Sequence, residues 1–93
     1  MNLRQVKSDY NIVDYLRFAG ASTAESTNGW RAVKCPWHGD KSASASYNTG
    51  LNRFRCHACE IGGDLIDVVM QTQNITDYGQ VVEWIQRTLP RRR

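Results

Sequence analysis

An α+β fold, with a small antiparallel sheet flanked by about three helices, follows from three features of the 93-residue chain. Two donor pairs, Cys35-Pro36-Trp37-His38 and Cys56-His57-Ala58-Cys59, are separated by seventeen residues. Short segments of period-two alternation lie around them. Segments of helical period, each with start and stop residues, lie on either side.

In order along the chain, residues 9–18 carry a helical stripe of Ile12, Leu16 and Ala19 with Val13 beside it, while Asp14 and Arg17 face away. Asp9 is the expected N-cap and Gly20 the stop. Residues 21–29 are small and polar with no period, and read as a loop. Residues 30–34 read as a short strand leading into the first donor pair, where Pro36 fixes a backbone angle. Gly39-Asp40-Lys41 is an expected turn, and residues 42–47 alternate as a half-buried strand does. Asn48-Thr49-Gly50 supplies the next turn. Residues 51–56 return as the partner strand, with Phe54 and Cys56 on one face and Arg53 and Arg55 on the other. Asp64 is the expected N-cap of a helix reaching about Gln73, whose apolar face is Leu65, Ile66, Val69 and Met70. A last helix is expected to start on Thr76, to show Tyr78, Val81, Val82, Ile85 and Leu89 along one side, and to stop at Pro90. Trp84 on it belongs to the core or its edge; an exposed Trp84 would instead mark a docking surface. No linker or repeat divides the chain. It reads as one domain, with a ribbon core at 30–64, helical flanks at 9–20 and 64–89, and a disordered basic tail at 90–93.

The donor pairs decide the chemistry. Three thiolates and one imidazole, paired at the ends of two tight turns, are the donor set of a tetrahedral zinc site: Cys35, His38, Cys56 and Cys59. Four protein ligands leave no open position, so the expected ion is a single structural Zn2+. A disulfide with one spare thiol is the competing reading, and the histidine at matching spacing favours zinc. His57 inside the second pair is a weaker competitor for His38. A chain this short buries only about 60–65% of its unfolded surface, so a metal staple is physically useful. The formal charge is +3, three of it in Arg91-Arg92-Arg93. No apolar run approaches the length of a membrane span, and no apolar export segment opens the chain. Reduced cysteines fit a cytoplasmic setting, bacterial or that of a virus's host.

From Cys35-Pro-Trp-His38 to Gly62-Gly-Asp64 the sequence resembles the zinc-binding domain of DnaG-type DNA primases. The matching residues are Cys35, Pro36, Trp37, His38, Asp40, Lys41, Ser44, Cys56, Cys59, Gly62, Gly63 and Asp64, and residues 11–16 and 78–89 resemble the flanking helices. Three positions depart from that pattern. Ala45 replaces an aromatic, with Tyr47 on the same strand face; His57 replaces another aromatic; and Glu60 stands where glycine is usual, which implies a positive φ at some cost. The resemblance implies a module that engages single-stranded DNA template and aids primer initiation beside a polymerase domain. The nine Asp and Glu are dispersed, with no acidic cluster for catalytic metals and no phosphate-cradling loop. On its own the chain is therefore expected not to be an enzyme, and catalysis is expected from a primase domain in cis or in trans, with a replicative helicase as a further partner.

Candidate DNA contacts are Arg53 and Arg55 on successive phosphates, extended by Lys41 and Arg31, with Tyr47, Trp37 or His57 as a flat surface for a base. A merely solvated strand face is the alternative for the arginines. The competing function is a ribbon that docks on a replication helicase or polymerase. A duplex-reading regulator fits least, because none of the expected helices is rich in basic residues.

Overall fold

The computed structural model describes residues 1–24, 28–38 and 43–92. The expected turn at Gly39-Asp40-Lys41, the candidate contact Lys41 and the terminal Arg93 lie outside the described residues. Among the described residues the chain forms four helices and four strands.

The additional helix is α1 (Leu3–Asp9). Asn2 caps it in a reciprocal box: the Asn2 side chain accepts from the Gln5 amide at 2.9 Å, and the Gln5 side chain accepts from the Asn2 amide at 3.1 Å. Asp9 is therefore the buried last residue of α1 and not an N-cap. Asn11 caps α2 (Ile12–Phe18) instead, accepting from the Val13 amide. The break between the two helices is held from the sheet side by Asn52, a buried residue in the left-handed region at φ 57. Its Nδ2 donates to the carbonyls of Lys7 and Tyr10, each at 2.9 Å, and its Oδ1 accepts from the Ile12 amide at 2.6 Å. One side chain thus satisfies the end of one helix and the start of the next.

The sheet runs β1 (Arg31–Val33), β2 (Ala45–Asn48), β3 (Arg53–Cys56) and β4 (Gly62–Asp64), antiparallel and in that spatial order. Paired residues share a face, so Val33, Ala45, Tyr47, Phe54 and Cys56 look inward and are buried, while Ala32, Ser46, Arg53 and Arg55 look outward. The helices cover the inward face: Ile12, Val13, Tyr15 and Leu16 of α2, Leu65, Ile66, Val68 and Val69 of α3 (Leu65–Gln73), and Val81 and Ile85 of α4 (Tyr78–Thr88). Asp64 caps α3 as expected, in a reciprocal box with Asp67. Asp77, not Thr76, caps α4; its carboxylate accepts from the Gly79 amide at 2.7 Å. Tyr78, expected on the apolar side of α4, is 56% exposed.

Residues 91 and 92 are docked rather than a loose tail. Arg91 pairs with Asp9 at 2.9 Å, and Arg92 holds Asp14 through Nε at 2.7 Å and Nη2 at 3.1 Å. The Arg92 amide also donates to the Asp9 carbonyl. The physical reason is Asp9 itself, a buried carboxylate at a helix end that requires a cation. Among the described residues no helix is long and apolar enough to cross a membrane.

Candidate metal centre

The end of β1 delivers Cys35 and the end of β3 delivers Cys56, and the ladder Val33–Ala45–Cys56 fixes how those ends lie together. The four donor atoms of Cys35, His38, Cys56 and Cys59 all fall within 4.8 Å of one another. Cys35 Sγ lies 3.6 Å from Cys59 Sγ, and His38 Nε2 lies 3.2 Å from Cys56 Sγ. The edges of a tetrahedron with bonds of ~2.3 Å to sulfur and ~2.0 Å to nitrogen are about 3.8 and 3.5 Å, so the cluster closes on one zinc-sized point. A sulfur separation of 3.6 Å is far beyond a disulfide, and none of the three cysteines is in one. His57 is exposed and outside this group. No second group of three or more such donors occurs among the described residues.

The donors differ in how readily they ionise. Burial pushes the Cys35 thiol up from 9.0 to about 12, with the neighbouring thiols adding to it and the Trp37 amide opposing. Burial pushes Cys56 the same way, but it is overridden by the Cys59 amide and side chain, the Ser44 hydroxyl and His38, so Cys56 falls to about 6. Ser44 Oγ lies 3.7 Å from Cys56 Sγ. Donors aimed at sulfur favour thiolates, as the outer shell of a metal site does. The second turn is closed by the Cys56 amide donating to the Ile61 carbonyl at 2.8 Å and the Glu60 amide donating to the Cys56 carbonyl at 3.1 Å. Glu60 takes φ 59, the strained backbone expected where glycine is usual.

Two of the aromatic candidates for base stacking are committed elsewhere. Tyr47 is 1% exposed, and its hydroxyl accepts from the Ala24 amide at 2.9 Å. Trp37 stacks on Tyr15 at 5.5 Å and meets Phe54 edge-on at 5.3 Å, which ties the first donor turn into the core. Trp84 sits at the core edge, edge-on to Tyr15 and Phe18. Arg31 is exposed, but its pairing with Tyr47 gives it the inward parity, opposite to Arg53 and Arg55. It does not extend their surface. The residue that sequence reasoning missed is Trp30: it is 39% exposed, and the Arg55 guanidinium lies over its ring at 4.4 Å. Its signal was available in the alternation Trp30, Ala32, Lys34, which shares the outward parity. Ser46 accepts from Arg55 Nε at 3.4 Å beside it. No described residue in 28–38 or 43–59 is an aspartate or glutamate.

The family model of the CHC2 zinc finger, the DnaG zinc ribbon, matches residues 1–90. Gene 58 protein of Mycobacterium phage D29 is 34% identical over 47 residues, which is 50% of this chain and 36% of that protein. A DNA primase of Streptomyces coelicolor is 37% identical over 49 residues, 53% of this chain and 8% of that protein. The matched segment is thus a minor part of either relative. No solved structure matches the chain.

Proposed function

The chain belongs to the CHC2 zinc finger family, and on that premise we propose that it is a template-binding module of a DnaG-type primase, acting in the cytoplasm. Cys35, His38, Cys56 and Cys59 hold one zinc ion, which supplies structural rather than catalytic chemistry because the four donors fill its coordination. Cys35 beyond the end of β1 and Cys56 at the end of β3 would be tied together through that ion, and β3 presents its outer face to the template. The observation that carries this reading is that face. Arg53 and Arg55 project from it about 6.6 Å apart along the strand, and Asp64, opposite Arg53 on β4, is already held by Lys7 Nζ and by the Asp67 amide that it caps. They bind successive phosphates of a single strand. Trp30, partly roofed by Arg55, offers a base a stacking surface worth about 1–3 kcal/mol. His57 lies exposed beyond the end of β3 and extends the same surface. Primer synthesis is left to a primase catalytic domain in cis or in trans, with a replicative helicase as the further partner.

The test is fluorescence anisotropy of labelled single-stranded DNA with the zinc-loaded chain over a salt series. Affinity is expected to fall as salt rises. Arg53→Glu with Arg55→Glu is expected to weaken binding and flatten the logarithmic salt slope by about 0.7 per lost phosphate contact. Binding unchanged in that double variant, or tight duplex binding with no preference for single strands, would overturn the reading. A double variant that loses no DNA affinity but still retains a helicase or polymerase would favour the docking ribbon.

A further inference from the structure

The two edges of the sheet are finished differently. The His57 amide donates to the Ser44 carbonyl at 3.3 Å, which makes residues 44 and 57 a hydrogen-bonded pair. By the alternation of an antiparallel ladder, Ser46 and Arg55 are the next such pair. Ala45 and Tyr47 therefore turn their backbone groups to β1, where Val33 and Arg31 meet them. Ala32 between them is left with its N–H and C=O pointing away from the sheet. On the far edge, the Cys56 amide bonded to the Ile61 carbonyl sets the corresponding phase, so Gly62 points its backbone groups outward from β4.

That far edge is sealed. The Gln71 side chain accepts from the Gly62 amide and donates to the Gly62 carbonyl, both at 3.0 Å, as an added strand would. The Asp64 amide is taken by Asp67 at 3.2 Å. No hydrogen bond reaches the Ala32 amide or carbonyl among the described residues. Ala32 is exposed, and beside it a groove of about 530 Å³ runs between β1 and residues 20–22, walled by Val33, Pro36 and Ala43. An open edge with a small-residue groove next to it is the geometry that accepts an extended peptide.

We propose that the β1 edge takes up an extended acidic segment of a partner protein as a fifth strand. Side chains of such a strand that lie beside Ala32 share the outward face with Lys34 and, two strands further in, Arg55, and the described residues of β1 and β2 carry no carboxylate. Side chains of the alternate parity turn toward the groove and are expected to be small or apolar. A second copy of this chain fits less well, because pairing two β1 edges would bring the outward Lys34 and Arg55 of both copies onto one face.

The probe is a capped peptide alternating valine and glutamate, with a valine–lysine counterpart, added to the zinc-loaded, isotope-labelled chain. Amide hydrogen exchange at Ala32 is expected to slow by about tenfold or more with the acidic peptide, the effect of one added hydrogen bond, while Gly62 is unchanged. Ala32→Pro removes the outward N–H without touching the ladder, and peptide affinity is expected to fall about tenfold with zinc content retained. Lys34→Glu keeps the backbone and is expected to reverse the preference toward the lysine peptide; it decides the matter if the proline variant does not fold. An Ala32 amide still unprotected at roughly millimolar peptide, or equal affinity for the two peptides, would overturn the proposal. So would protection of Ala32 in the chain alone. If that protection rises with protein concentration, the occupant is a second copy; if it does not, the chain's own residues 21–24 close the edge.

Discussion

Arg53 and Arg55 leave the same four-residue strand as Phe54 and Cys56, yet the two pairs occupy different media. Phe54 and Cys56 are 1% and 4% exposed, one packed under Trp37 and the other supplying sulfur to the metal cluster. The arginines are exposed, and Arg55 touches Trp30 and Ser46 on the outer face. Folding energy is thus gathered on one side of β3 and charge is displayed on the other. The same parity sorts the aromatic residues: Tyr47 and Trp37 go with Phe54 into the core, and Trp30 goes with Arg55. If the two faces are separate in this way, inward changes are expected to register in stability and outward changes in binding.

The largest expected effect is removal of the ion. Structural zinc contributes on the order of 10–16 kcal/mol of apparent binding energy in domains of this kind, so chelation is expected to unfold the ribbon cooperatively, seen as loss of near-ultraviolet dichroism from Trp37. The pH dependence has a definite sign. Cys56, lowered to about 6, favours the folded cluster above its ordinary 9.0 and loses that contribution as pH falls through about 6. Cys35, raised to about 12, favours the ion-free fold in its protonated form, so zinc must displace its proton at neutral pH. Zinc retention against a chelator is therefore expected to fall as pH is lowered, and to fall more steeply once Cys56 also takes up a proton below about 6. Retention that is flat from neutral to acid would mean that the thiols are not the ligands.

Next is Phe54→Ala, which opens a cavity beneath Trp37 and is expected to cost about 3–5 kcal/mol in urea unfolding of the zinc-loaded chain. A loss below about 1 kcal/mol would show that the inward face is not the core.

Much of this division could be read in the sequence, because it rests on short periods. The alternation in residues 53–56 and the spacing of the four donors are local patterns, and both hold in the structure. What escaped was either weakly patterned or tertiary. Helix α1 buries only Val6 and Asp9, too little for a hydrophobic stripe, and its legible sign was the Asn2–Gln5 capping box. Thr76 and Asp77 are adjacent residues that can both cap, and the carboxylate took the role. Strand β4 is Gly62-Gly63-Asp64, which has no strand propensity of its own and forms because β3 offers a template. Tyr47 was misread as a stacking surface although it has the parity of Ala45 and, through pairing, of Phe54. Arg91 and Arg92 find Asp9 and Asp14 some eighty positions away, which no local pattern records.

A smaller effect tests the turn at the inner end of β3. Glu60 holds φ 59 without glycine's freedom. Glu60→Gly is expected to raise the unfolding free energy of the zinc-loaded chain by about 0.5–1 kcal/mol, since left-handed backbone costs a residue with a Cβ roughly that much. Destabilisation would show that the Glu60 side chain does something for the metal turn beyond occupying it.

The smallest expected effect on the fold is the most informative about the outer face. Arg55→Ala removes the guanidinium that lies 4.4 Å over Trp30, an exposed cation–π contact worth about 0.5–1 kcal/mol at most. Since the solvated arginine otherwise meets, among the described residues, a long hydrogen bond to Ser46, stability is expected to change by less than about 1 kcal/mol. The indole N–H resonance of Trp30 should move while that of Trp37 stays fixed, because the sheet lies between them. A loss above about 1 kcal/mol, or a shift that reaches Trp37, would mean that the outer face is coupled to the core and that β3 does not divide folding from display. With stability unchanged, any loss of single-strand affinity in the same variant is attributable to the missing phosphate contact rather than to a damaged ribbon.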